Sequence, residues 1–278
     1  MLPSAPACGG GRVDFLLECI GFPPDQDHAA LEALVLARGE TVPWRGPRGR
    51  HLRLALAPGL DLRLDREQDA DFASLYPHFQ SEQRLRVSVD QVRALPDSPY
   101  DGLLIGRANP RVEGRARAAP VVDEGFDLAC VLSDARRLPA TLEEGHVLAV
   151  ALAGFALDVE RVADAPGEPF VAATPKLADG GWIAPLGGVE DPGGCVELGL
   201  RVTRVSEFEN PLSGARVARL EVDAPGRPLT LFVSPWQLAH DGLATPRRGA
   251  WITGTFVLSG RVAGGLGSPS TIARRHFG

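Results

Sequence analysis

Apolar residues fall on alternate positions through most of the last third of the chain. Val196, Leu198, Leu200 and Val202 form one such run, Ala218, Leu220 and Val222 a second, Leu229, Leu231 and Val233 a third, and Ile252, Gly254, Phe256 and Leu258 a fourth. A period of two is the pattern of strands with one face against a core. The runs are parted by Asn210–Gly214 and Ala224–Arg227, rich in residues that tolerate turn backbone angles. Between the third and fourth runs, Ser234-Pro235-Trp236-Gln237 supplies an N-cap hydroxyl, a proline for the first helical position and a glutamine at the third, with Asp241-Gly242 as a stop. A short helix is predicted there.

The earlier residues mix periods. Val13–Ile20 reads as a buried strand, and Asp25-Gln26-Asp27 then opens a helix whose Leu31, Leu34 and Val35 share a face, stopped by Gly39. Leu52, Leu54 and Leu56, a turn at Pro58-Gly59, and Leu60, Leu62 and Leu64 predict a hairpin with one wet face. Phe72–Phe79 is expected as a short helix broken at Pro77, and Leu85–Val89 as a strand, with Ser88 and Gln91 as the capping box of a short helix to Leu95. Further strands are expected at Phe126–Leu132, His146–Val162, Phe170–Ala173 and Trp182–Leu186. The segment LAGFA at 152–156 aligns with LSGRV at 258–262, a hint of a duplicated strand that the flanking residues do not extend.

Three strands, a short helix and a fourth strand resemble the order of an OB-like barrel, whose fifth strand must come from 259–272 or from the middle of the chain. The expected fold is α+β: an N-terminal α+β domain followed by a β-rich region with an OB-like small barrel at the C-terminus. Charge suggests where to divide it. Residues 1–119 carry net −1, residues 120–194 net −9 and residues 195–278 net +4, summing to the whole-chain −6. The expected domains are therefore 1–119, an acidic β-rich segment 120–194 and a basic barrel 195–278, with linkers near 112–122 and 186–195.

Of the 29 basic residues only Lys176 is lysine, a bias expected of a GC-rich bacterial genome. Cys8, Cys19, Cys130 and Cys195 lie far apart, which supports neither a zinc knuckle nor a disulfide framework and fits reduced thiols in the cytoplasm. The N-terminus lacks the basic and apolar regions of a leader, and the longest apolar run, Val147–Leu157, is shorter than a membrane span needs, so a cytoplasmic protein without a membrane segment is expected.

Catalytic signatures are absent: the chain holds no G-x-S-x-G, Walker loop, G-x-G-x-x-G or H-E-x-x-H. Asp65, Glu67, Asp69 and Asp71 alternate like calcium-loop ligands, but Ala70 and Tyr76 stand where such a loop needs Gly and Glu. Among the six histidines, His51 and His78 with Glu67 or Glu82 offer a metal-ligand set that no spacing requires, and structural histidines are the plainer reading. Two arginine runs, Arg45, Arg48, Arg50 and Arg53, and Arg107, Arg111, Arg115 and Arg117, have the chemistry of anion clamps but sit among acids, as solvated loops do.

The sharpest constellation lies on the C-terminal strands. If Val196, Leu200, Leu220, Leu231 and Phe256 point inward, alternation turns Arg201, Arg219, Phe232 and Trp251 outward. Rings and guanidinium groups on one outer face suit a protein contact or stacked single-stranded nucleic acid, unless the acidic middle segment covers them. The expected function is a non-catalytic cytoplasmic adaptor or assembly protein that binds another protein chain or a second copy of itself through these four residues, without a cofactor. The alternatives are single-stranded nucleic-acid binding through the barrel and a metal-dependent small-molecule enzyme in the N-terminal domain.

Overall fold

The computed structural model describes residues 12–42, 49–67, 73–95, 98–109, 125–133, 135, 138–139, 142–170, 174–186 and 194–263. Strands take 54% and helices 11% of these, so the protein is mostly β rather than evenly α+β. Two helices come first, α1 (Arg12–Glu18) and α2 (His28–Arg38). A four-strand antiparallel sheet follows, built from β1 (Glu40–Thr41), β2 (Gly49–Ala57), β3 (Leu60–Glu67) and β4 (Ser74–Phe79) in that spatial order. The remaining strands are β5 (Leu85–Leu95), β6 (Ser98–Ala108), β7 (Phe126–Leu132), β8 (Val147–Ala163), β9 (Trp182–Pro185), β10 (Cys195–Glu209), β11 (Arg216–Val222), β12 (Leu229–Val233) and β13 (Trp251–Val262), with α3 (Pro235–His240) before the last.

These nine strands form one mixed sheet that closes into a ring, and a long antiparallel ladder between β8 and β13 crosses it. On one side of the ladder, β10, β11 and β12 pair antiparallel in sequence, β12 runs parallel to β8, and β13 returns to β10. On the other side, β5, β6 and β7 pair antiparallel, β7 runs parallel to β13, and β8 returns to β5. The two halves thus have the same connectivity with β8 and β13 exchanging roles. β8, from the middle of the chain, pairs with both β12 and β13 and so links the two ends of the C-terminal set.

The short LAG/LSG likeness lies at the point where the halves meet. Ala153 pairs with Ser259, Leu152 with Gly260 and Gly154 with Leu258. A Cβ on Gly154 would stand 2.5 Å from Leu231 Cδ2 and 3.1 Å from Leu258 Cδ2, while one on Gly260 would stand 2.7 Å from Leu152 Cδ2. Each glycine therefore makes room for the leucine two positions before its counterpart. The charge-defined segments share this sheet and a single buried cluster that runs from Leu17 to Val262.

The N-terminal sheet carries its apolar face on Leu60, Leu62, Leu64, Leu75 and Phe79, all buried with Leu31 and Val35 of α2. Asp27 caps α2 by accepting the N–H groups of Ala29 and Ala30 at 2.9 and 3.1 Å, and Gly39 ends the helix, as the sequence predicts. The link between the helices docks on the β10–β11 turn: Asn210 donates to the Ile20 carbonyl at 2.7 Å, and Gly21, at φ +91°, sits under Val217.

Three local expectations are corrected. Residues 12–18 are helix, because a short, mostly apolar run fits a buried helix as well as a buried strand. Residues 74–79 are strand, because β4 is the edge of its sheet and Pro77 there interrupts no interior ladder. Residues 85–95 are one strand, because a bulge between Val89 and Gln91 shifts the alternation and imitates a helix start. Phe170 lies in a bend; residues 171–173, the 112–122 linker and most of the 186–195 linker fall outside the described residues, as do Cys8, Asp69, Asp71, Arg45, Arg48, Arg111, Arg115 and Arg117.

Candidate functional site

The four residues expected on one open face are not displayed together. Arg201 is exposed and Arg219 half-buried, but Phe232 and Trp251 are buried. Alternation was expected to turn Phe232 outward, but the ring is buried by the chain itself. The ring of Phe232 stacks on Phe155 of β8 at 5.2 Å and meets Phe79 of β4 edge-on at 5.2 Å, while Arg219 lies over Phe79 at 5.7 Å. Trp251 is covered at Gly181, where a Cβ would come within 3.2 Å of the indole. The aromatic pair is therefore intramolecular packing.

The other face of the N-terminal sheet was expected to be wet, yet it carries the buried polar side chains His51, Arg63, Asp65 and His78 beside exposed Arg53. Register places His51, Asp65 and Ser74 in one row across β2, β3 and β4, Arg53, Arg63 and Tyr76 in the next, and Asp61 opposite His78 beyond it. His51 Nδ1 lies 3.1 Å from Asp65 Oδ1, and the Tyr76 hydroxyl donates to Asp65 Oδ2. Burial, then the charges of Asp101 and Asp65, hold the Tyr76 phenol well above its ordinary range. Burial, then the charges of Arg63 and Arg261, push the His78 imidazole well below its ordinary 6.5. His51 and His78 thus share a face, with Arg63 and Tyr76 between them, and Glu82 is exposed. Among the described residues no group of three His, Cys, Asp or Glu side chains is placed to hold a metal ion.

A concave site lies elsewhere, where α1, β8 and α3 meet. The cleft encloses about 570 Å³ and is lined by Phe15, Glu18, Pro24, Ala156, Leu157, Asp158, Ser234, Trp236, Gln237, His240 and Asp241. Local chemistry fixes its floor. Ser234 caps α3 by accepting the Gln237 N–H at 3.1 Å, and its hydroxyl donates to the buried Glu18 carboxylate at 3.0 Å. Gln237 Nε2 donates to Asp158 at 2.9 Å, and Cys19 Sγ donates to the Ala156 carbonyl at 3.2 Å, tying α1 to β8. Phe15, 52% exposed, and half-buried Trp236 put aromatic surface at the same place.

The electrostatics along this edge are acidic. Glu160 has its carboxyl raised by burial and then by the Asp158 charge; Glu197 is raised by burial and by Glu160, although it accepts the Phe170 N–H at 2.9 Å. Sequence reasoning identified the Ser234 cap but missed Glu18, Asp158 and Trp236 as neighbours. The signal for Glu18 was present: it is the single acid between Phe15 and Ile20, an apolar run that buries it. No known protein family, curated protein or solved structure matches the chain.

Proposed function

We propose that the chain is a non-catalytic adaptor or assembly protein, built on two OB-like barrels that share β8 and β13, and that it binds a basic segment of another protein chain in the α1–β8–α3 cleft. The strand order antiparallel–antiparallel–parallel, closed by a fourth strand that pairs with both first and fifth, supports the barrel reading twice over. One observation carries the function: carboxylates of Glu18, Asp158 and Asp241 and the rings of Phe15 and Trp236 line a single concavity. Guanidinium and ammonium groups pair with the first and lie favourably over the second. An acidic cleft repels phosphate, and the nucleic-acid alternative keeps only Arg201 exposed and Arg219 half-buried of its four residues.

The test uses a short peptide of alternating Arg and Leu, its Glu-for-Arg counterpart and an oligothymidylate, each titrated against the intact chain while following Trp236 fluorescence. The Arg peptide is expected to bind, and Asp158→Asn with Asp241→Asn to weaken it about tenfold, roughly 1.4 kcal/mol. Trp236→Phe is expected to remove the optical signal while calorimetry still registers binding. Binding of the oligonucleotide with steep salt dependence, or equal affinity for both peptides, overturns the reading.

A further inference from the structure

Asp158 and Asp241, which line the α1–β8–α3 cleft, are exposed. Asp158 accepts from Gln237 Nε2, and among the described residues neither carboxylate has an ion-pair partner. The ring of Phe15 beside them is open to solvent as well. Open carboxylates next to an open ring suit a cationic segment that also brings apolar surface. The chain carries such a segment itself. Residues 264–278, outside the described residues, hold Arg274, Arg275 and His276 between Ile272 and Phe277, and no Asp or Glu.

The segment is long enough to reach the cleft. Ala263, next after β13, donates its N–H to the Ala149 carbonyl at 2.7 Å, and Ala149 stands nine residues before Asp158 on β8. At about 3.3 Å per residue those two lie at most about 30 Å apart along the strand. Arg274 and Arg275, eleven and twelve residues after Ala263, can lie up to about 36–40 Å from it before their side chains are counted. β13 runs antiparallel to β8 and so heads away from the cleft, and Gly264 and Gly265 suit the reversal that the path needs. We propose that residues 272–277 fold back into the acidic cleft of the same chain, with Arg274 and Arg275 on Asp158 and Asp241 and Phe277 against Phe15 and Trp236. This occupant rests on the reading of the cleft as a basic-segment site and adds regulation to it. A partner must displace a tethered competitor, whose effective concentration is on the order of millimolar.

The test compares the full chain with its Arg274→Glu, Arg275→Glu variant, first by hydrogen–deuterium exchange without added peptide and then by titration with the Arg–Leu peptide. In the variant, residues 156–158 and 234–241 are expected to exchange faster. The peptide is expected to bind it about fivefold tighter, the ratio for a segment that covers the cleft in about four of five molecules. Saturating peptide lowers the remaining open fraction, so it still protects the cleft of the unaltered chain. Faster cleft exchange in a variant that the peptide does not bind supports the internal contact and faults only the reading of an outside partner. Equal cleft exchange in the two chains overturns the internal contact, and peptide binding alongside it leaves the partner reading in place. Cleft protection that grows with protein concentration, as a contact between copies would, also overturns it.

Discussion

Phe232 shows what alternation along a strand tells and what it leaves open. Its parity predicts an outward-facing side chain, but only the three-dimensional arrangement shows that Phe79, from a strand more than a hundred residues earlier, closes over it. Phe232→Ala is expected to destabilise the protein by about 3–5 kcal/mol, measured by urea unfolding, rather than to weaken a contact at a folded surface. His78 gives a second test at this scale. Its proton affinity is lower in the folded than in the unfolded chain, so the unfolded state binds more protons below the ordinary 6.5. The stability tied to its neutral form is full above that value and is lost as pH falls. Replacing His78 with Gln is expected to flatten the fall in stability between pH values just above and well below 6.5, read from denaturant midpoints. The thiol of Cys19, enclosed beside Ala156 and pushed far up by burial, is expected to resist alkylation in the native protein and to react only in denaturant.

At the scale of elements, β10 to β13 and α3 were legible because propensity, turn chemistry and alternation agree there. The other half was not, and particular residues show why. The bulge after Val89 breaks the period, Pro77 reads as a helix breaker where it marks an edge strand, and the glycines of β6 thin the alternation of Leu103 and Ile105. The matched LAG and LSG stretches lie on β8 and β13, the strands that exchange roles between the halves, yet three residues are too few to stand out when the flanks do not match. Gly154 and Gly260 supply a test there. A side chain at either position meets packed leucine, so Gly154→Val and Gly260→Val are each expected to cost about 1–3 kcal/mol by over-packing.

For the whole molecule, net charge located the acidic and basic stretches but carried no information on which strands pair, because pairing is set by backbone hydrogen bonds and apolar faces. With β8 and β13 each paired into both halves, the halves are expected to unfold together, with coincident transitions by far-ultraviolet circular dichroism and tryptophan fluorescence. The cleft was not legible because Glu18, Asp158 and Trp236 lie on three elements that only the closed ring brings to one place. We propose this cleft, and not the arginine and aromatic residues of the C-terminal strands, as the contact surface. Hydrogen–deuterium exchange with and without the Arg–Leu peptide separates the two. Protection confined to residues 15–24, 156–158 and 234–241 is the expected result; protection centred on Arg201 and Arg219, with the cleft unchanged, would contradict it.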